Sequence, residues 1–398
     1  MRVLYVSVDL FYTNPTGRLL SAVIDHISDV KFFGPGFVST EELSSGLNSF
    51  VDRNGPFDIV LATEKVALID PNADFSSEIE RYKRLYYFNF PESDLRFLPQ
   101  IASDYRLLKI PRVLSLLQND LYNWNNSHAD MILASADVIL SNGLENVVYV
   151  DEMQNRSSEP WAMGATDVFV GLVKEYPSRF ASFPLFVSDS EVCRVPHVFR
   201  PNRWAVPGVR YRARRIAAEK LALSGHKLSR RPPGSYIHKA AEMIGRMPYS
   251  GIAAAQYFFR REMENARAVY TCGSVLRQPI RKFFEIPAAG ALLVCEPCAG
   301  LSDYGFEHDS SCLIISPEDI LEADQFLNDH SERAQDIARR AQKLVIAKHS
   351  TLARSVQLAA VFKRLLAGTF AGARWSNGEY VLLGTPDLRV GTSYSPAA

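Results

Sequence analysis

Short apolar runs alternate with helical stretches along this chain, and that alternation limits the fold more than any other feature. RVLYVSV (2–8) reads as a strand, followed by a helix from about Arg18 to Ser28. VKFFGPG is a second strand, the stretch from Thr40 to Asn54 a helix, and FDIVLAT (57–63) a third strand. RLYYFNF (84–90), RVLSLLQ (112–118) and DVILSNG (137–143) continue the series, while VVYVDEM, DVFVGLV and FPLFVSDSEV are each strand candidates. A parallel return needs a crossover, so strands alternating with helices imply βαβ units.

VPHVFRPNRW (195–204) breaks the pattern with Pro, His, Arg and Trp and reads as an interdomain junction. The alternation then restarts: RWAVPGV (203–209) as a strand, a helix from Tyr211 to Ser224, AVYTCGS (268–274) as a strand, a helix opened by FFEIPAAG, then strands ALLVCEP (291–297) and SCLIISP (311–317). Three amphipathic helices follow, the first capped by Ser316-Pro317-Glu318-Asp319. The last thirty or so residues read as polar and irregular. The expected class is α/β, with two Rossmann-like doubly wound domains facing a central cleft. The expected divisions are 1–198, 199–365 and a tail, 366–398, that packs back on the first domain. A length of 398 residues fits two cores.

Lys plus Arg and Asp plus Glu are equal at 44 each, which removes a chain-wide attraction to nucleic acid. RYRARR (210–215) and KLSRR (227–231) are only locally cationic. Five scattered cysteines do not make a disulfide framework, and the single C-x-x-C at Cys295 and Cys298 has no second pair to complete a zinc site. MRVLYVSVDLFY has no cleavage site and reads as a strand, not a signal peptide. With no apolar run of 18 residues, no integral membrane segment is expected, and the expected location is cytoplasmic, leaving room for peripheral membrane contact.

One residue resists a purely structural reading. RKFFEIPAAGALLVCEP (281–297) is apolar almost throughout, yet carries Glu285 where a leucine would pack better. A carboxylate accepts hydrogen bonds at several lone pairs, which suits a pair of vicinal hydroxyls, and a glutamate on the helix dipole is the bland alternative.

The second half resembles the GT-B-fold glycosyltransferases, in particular the spore-maturation (CgeB-like) branch of the glycosyl transferases group 1. The resemblance rests on K-F-F-E-I-P-A-A-G (282–290), A-L-L-V (291–294), G-F (305–306), S-P-E-D-I (316–320), D-I-A-R-R-A-Q (336–342) and K-H-S-T-L-A-R (348–354), with echoes at V-P-H-V-F-R-P (195–201) and V-P-G-V-R-Y-R-A-R-R (206–215). It covers roughly 195–365, while the first half matches only as a generic Rossmann-like domain. The resemblance implies that Glu285 holds the ribose of a nucleotide-sugar donor, beside small residues including Ala288. It also implies phosphate contacts from Tyr211, Arg215 and Lys282. A second glutamate usual eight positions earlier is here Arg277.

Phosphate needs cations or aimed N–H groups. Arg210, Arg214, Arg215, Arg277, Arg281 and Lys282 are the candidates, with free amides at the helix start before Glu285. Tyr249 is a candidate to stack a base, and Thr16 and Gly17 face the donor phosphates in such a fold. QNDLYNWNNSHAD (118–130) carries polar and aromatic side chains suited to an acceptor sugar. There Asp120 would orient a hydroxyl, and Asn119, Tyr122, Trp124 and His128 would line the site with Asp9. His197 reads as a junction residue and His349 as a cap between helices. No D-x-D occurs, so neither a metal nor another cofactor is expected.

The leading expectation is a retaining, metal-independent glycosyltransferase. It would move a sugar from a nucleotide-diphosphate donor to a glycan or glycoconjugate acceptor, in surface polysaccharide or glycoconjugate synthesis. A nucleotide-sugar 2-epimerase of the same fold and a non-catalytic glycan-binding protein remain alternatives, the latter because of Arg277.

Overall fold

The computed structural model describes residues 1–10, 16–70, 76, 79–80, 89–116, 126–142, 163–193, 199–209, 211–228, 240, 243, 249–274 and 278–384, with backbone only at 16–17, 126–128, 163–167 and 249–250. Among these residues the strands form two sheets. The first contains β1 (Arg2–Val6), β2 (Asp29–Phe33), β3 (Ile59–Thr63), β4 (Arg112–Leu116), β5 (Val138–Ser141) and β6 (Phe180–Ser182). The second contains β7 (Asn202–Ala205), β8 (Ala266–Thr271), β9 (Leu292–Cys295) and β10 (Leu313–Ile314). A last pair, β11 (Ala373–Ser376) and β12 (Glu379–Leu382), follows the second sheet in sequence but joins the first. The orders are β12-β11-β6-β5-β4-β3-β1-β2 and β10-β9-β8-β7, and every pairing is parallel except β11 with β12.

The central strands are buried along nearly their whole length, as parallel strands covered on both faces must be. Leu4, Val6, Val60, Leu114 and Ile139 face a layer containing Leu47, Phe50, Leu98 and Ile101. On the opposite face Val3, Tyr5, Leu61, Val113 and Leu140 belong to a core that continues through Phe283, Phe284, Ile286 and Leu293 of the second half. The Thr351–Leu366 helix contributes Leu358, Val361 and Phe362 to that shared core, and its Ser355 hydroxyl donates to the Val23 carbonyl at 3.3 Å.

Several local expectations are corrected. The helix expected over 40–54 is two, Thr40–Ser44 and Gly46–Asn54. Gly46 adopts φ +83, and the Asp104 carboxylate accepts from the Leu47 N–H at 3.1 Å, so a new helix starts there. DVFVGLV lies in the Met163–Glu175 helix and not in a strand; an unbroken apolar run satisfies either period, and here the run sits inside a 13-residue helix. FPLFVSDSEV holds no strand: Val187 makes one bridge to Ser350, and Asp189–Glu191 is a 3-10 turn closed by a Ser188–Glu191 capping box. The tail is not irregular throughout. Asn377 and Gly378 take φ +50 and +73 and turn β11 back on β12, the signature of an Asn-Gly hairpin. Of the strand expected at 84–90, residues 84–88 lie outside the described residues and Asn89 and Phe90 form a bend. The strand at 147–153 and the junction residue His197 also lie outside them.

His349 marks where the two halves and the hairpin meet. Arg354, with no exposed surface, donates to the Pro184 carbonyl (3.3 Å), the Lys348 carbonyl (3.1 Å), Gln357 Oε1 (2.6 Å) and His349 Nδ1 (2.9 Å). Because a guanidinium only donates, Nδ1 must accept, which leaves the proton on Nε2 to bond the Tyr304 carbonyl at 2.8 Å. The ring lies 4.7 Å from Trp375 and 4.8 Å from Phe284, centroid to centroid. The Val187 N–H donates to the His349 carbonyl at 3.1 Å, and Lys348 pairs with Glu379 at 3.0 Å. Burial, reinforced by the neighbouring Arg354 charge, holds the His349 pKa well below the usual histidine range.

Two outcomes follow from this node. Trp375→Ala should cost about 3–5 kcal/mol in a denaturant melt, as for other buried tryptophans. For His349 the unfolded ring titrates at about 6.5 and the folded ring lower. Protonation therefore favours the unfolded state, and stability present above that pH is lost as pH falls below it. Melts between pH 7.5 and 5.5 should show a shallower acid loss for His349→Gln than for the wild type.

Candidate functional site

Glu285 sits on the short Lys282–Ala288 helix, reached from the carboxyl end of β8. Phe283, Phe284 and Ile286 have no exposed surface and anchor the helix on the core. The i, i+3 spacing then leaves Lys282 and Glu285 on one half-buried face, and the i, i+4 spacing sets Arg281 against Glu285. Arg281 donates through Nη1 to Glu285 Oε1. Among the described residues Glu285 Oε2 accepts no hydrogen bond. Burial raises the Glu285 pKa, opposed by the charges of Arg281 and Lys282.

A second cation converges on the same face. After β7 the chain turns at Gly208, with φ +86. A Cβ there would come within 2.8 Å of Arg214 Nη1 and 2.9 Å of Lys282 Nζ, so both cationic groups crowd one point that only glycine leaves open. Arg214 is buried and held from behind: Nε donates to Cys272 Sγ at 3.1 Å, Nη1 to the Pro207 carbonyl at 3.1 Å, and the Tyr211 ring lies 5.0 Å from the guanidinium. Lys282 Nζ lies 5.1 Å from the Phe259 ring centre and, among the described residues, pairs with no carboxylate. Burial first, and the Arg214 charge second, push the Lys282 pKa down to about 8. Two close cations with no carboxylate between them are arranged to receive an anion.

The amides at the start of this helix are not free as the sequence reading expected. The N–H of Phe283 donates to the Ile280 carbonyl, and those of Phe284 and Glu285 to the Arg281 carbonyl, at 2.9–3.0 Å. An anion at this site would therefore be held by side chains. Among the described residues no group of three His, Cys, Asp or Glu is placed to hold a metal ion.

The structure thus brings Tyr211, Arg214, Lys282 and Glu285 together. Arg215 points away: it is exposed, while Arg214 one residue earlier turns inward. Arg281 spends its donors on carboxylates and a carbonyl and is not a phosphate cation. Ala288 is buried on the core side of the helix. Asp9 lies past β1 in the first sheet, 3.5 Å from Arg18, with its pKa raised by burial. Thr16 and Gly17 begin the Thr16–Asp25 helix, His128 lies in the Asn126–Ser135 helix, and Tyr249 opens the Tyr249–Glu264 helix, each known by backbone only. Asp120, Asn119, Tyr122, Trp124, Arg210 and Arg277 lie outside the described residues. Gly208 was missed as a site residue, although Pro-Gly directly after a strand signals a tight turn.

Residues 253–360 match the family described as glycosyl transferase-like, a segment that includes Phe259, Lys282 and Glu285. Among solved structures the chain is similar to HepE from Anabaena in complex with UDP and glucose, at 10% identity and a TM-score of 0.50, over 91% of this chain and 99% of that one. It is also similar to the catalytic domain of starch synthase IV from Arabidopsis thaliana bound to ADP and acarbose, at 7% identity and a TM-score of 0.52, over 92% and 99%. No curated protein matches the sequence. The fold of the chain is GT-B, and its residues 253–360 are similar to the glycosyl transferase-like family.

Gly208→Ala should be destabilising by about 1–3 kcal/mol, the cost of a strained left-handed residue. It should also displace Lys282 and Arg214 and so weaken nucleoside diphosphate binding more than Gly225→Ala, where an added Cβ meets nothing. Equal binding by the two variants in calorimetric titrations would remove Gly208 from the site.

Proposed function

We propose that this protein is a retaining, metal-independent glycosyltransferase that uses a nucleotide-diphosphate sugar, within the spore-maturation branch that its 272–354 signature resembles. The observation that carries the reading is the pair Lys282 and Arg214 crowding Gly208, one helical turn from the open oxygen of Glu285. Both structural neighbours hold nucleoside diphosphates, UDP in one and ADP in the other, which supports the same ligand class here.

In this reading Lys282 and Arg214 bind the diphosphate and stabilise the charge that develops as it departs. The lowered proton affinity of Lys282 in the empty site rises when a polyanion arrives, so binding favours its charged form. Glu285 Oε2 accepts from the ribose hydroxyls and orients the donor. An acceptor hydroxyl from a glycan or glycoconjugate then attacks from the face the diphosphate leaves, which retains configuration. A role in surface polysaccharide or glycoconjugate synthesis and a cytoplasmic setting complete the proposal. Among the described residues no helix is long and apolar enough to cross a membrane.

The test is a thermal-shift titration with UDP, GDP, CDP, ADP and dTDP without metal. A diphosphate at a hundred times its dissociation constant should add roughly 2.7 kcal/mol of stability. Lys282→Met should melt higher than wild type when empty, because an unpaired buried cation is removed, yet lose most of the ligand shift. Glu285→Ala should lose affinity for the ribonucleotide. If none of the five shifts the wild type, the reading is wrong.

A further inference from the structure

Arg281 holds two carboxylates at once. Its Nη2 lies 2.7 and 2.6 Å from the two oxygens of Glu191, its Nη1 donates to Glu285 Oε1, and its Nε donates to the Phe186 carbonyl at 3.2 Å. Glu191 belongs to the segment that crosses from the first sheet to the second. It is itself fixed, because Glu191 Oε2 also accepts from the Ser188 N–H at 2.7 Å. The same segment is fastened to the Glu285 helix. The Cys193 N–H donates to the Ala288 carbonyl at 2.9 Å, and Gln342 Nε2 bridges the Cys193 and Ala288 carbonyls at 2.8 and 3.0 Å.

One carboxylate is enough to neutralise Arg281, and Glu191 already meets it with both oxygens. Glu285 is therefore surplus to the ion pair. A second carboxylate whose side chain is only 10% exposed is costly unless it serves something else, and among the described residues only one of its oxygens is used.

We propose that Arg281 is a positioning residue for donor binding: it holds Glu285 Oε1 and so turns Oε2 toward the ribose diol, while Glu191 of the crossover holds the guanidinium in place. This inference rests on the donor-site reading above. The charged groups facing Glu285 are Arg281 and Lys282 of its own helix and Glu191 of the crossover, with Arg214 behind Lys282. Removing Arg281 leaves burial opposed only by Lys282, while Glu191 still adds to it. Glu285 then takes up a proton at higher pH, and a protonated acid loses acceptor sites for the diol.

The readout is the preference for ribose over deoxyribose, because the ligand's own phosphate ionisation cancels in that ratio. UDP and 2′-deoxy-UDP, with the ADP, GDP and CDP pairs in parallel, are titrated calorimetrically into full-length wild type, Arg281→Gln, Arg281→Lys and Glu191→Gln from pH 5.5 to 7.5. Wild type should keep its preference to lower pH than Arg281→Gln, because the Arg281 charge opposes protonation of Glu285. In Arg281→Gln the preference should shrink as pH falls, by roughly tenfold per pH unit once Glu285 titrates. Arg281→Lys should restore most of it, and Glu191→Gln, which loosens the guanidinium but removes a negative charge from beside Glu285, should lower the preference by a similar factor at every pH. A purely structural Arg281 would change affinity for both sugars alike and leave the ratio flat, which overturns the inference. If Arg281→Gln does not fold, a flat, wild-type ratio in both Glu191→Gln and Arg281→Lys overturns it as well. Wild type that binds no diphosphate sinks the donor-site reading and this inference together, whereas binding with unchanged ratios sinks this inference alone.

Discussion

A guanidinium taken wholly out of water must find acceptors for its donors, and much of the tertiary arrangement follows from where Arg354 finds them. Its partners are carbonyls at Pro184 and Lys348, the Gln357 amide oxygen and His349 Nδ1. They come from the crossover, from the end of one long helix and from the next. None can move without stranding a buried charge, a penalty far above the value of an ordinary hydrogen bond. The demand then passes outward. Arg354 sets the tautomer of His349, His349 fixes the Tyr304 carbonyl, and the imidazole gives Trp375 of the hairpin a flat surface to cover.

Arg200 solves the same problem differently. It donates to the carbonyls of Met263, Ala266 and Ala289, near the ends of two helices where carbonyls lack partners. Gly290, at φ +73, makes room for it: a Cβ there would lie 2.6 Å from Arg200 Nη2. Both guanidiniums are tied to several acceptors from different segments and serve as joints. Lys282 stands apart because, among the described residues, it faces an aromatic ring and another cation and makes no close ion pair, Glu285 lying near it without touching it. The contrast between cations tied to several acceptors and a cation without a close ion pair separates framework from site without reference to any relative.

The parallel strands were legible because β1, β3 and β9 are continuous apolar runs bounded by polar turns, and burial on both faces demands such runs. DVFVGLV was not legible, since an unbroken apolar run carries no period to choose between helix and strand. The hairpin could have been found: Asn377-Gly378 between Trp375 and Tyr380 is a strong short-range signal, masked by the polar composition around it. At the site, Lys282 and Glu285 stood out as charges in an apolar stretch. The choice between Arg214 and Arg215 turned on a single step of helical phase, which sequence leaves open without the anchoring residues. Glu191 was out of reach, because its partnership with Arg281 spans 90 residues in sequence and depends on packing alone.

The β11–β12 hairpin bears on how this chain can be divided. The family match ends at residue 360, before the hairpin begins. A fragment cut by that match would leave β6 with an open edge ready to pair with another molecule, and would strip Trp375 from the His349 ring. The amino-terminal half made alone would carry the same open edge. The two halves are therefore not modules that could be shuffled or expressed separately. The β11–β12 pair completes a sheet that includes β1, so a nascent chain cannot finish that sheet until residues through Leu382 have been synthesised.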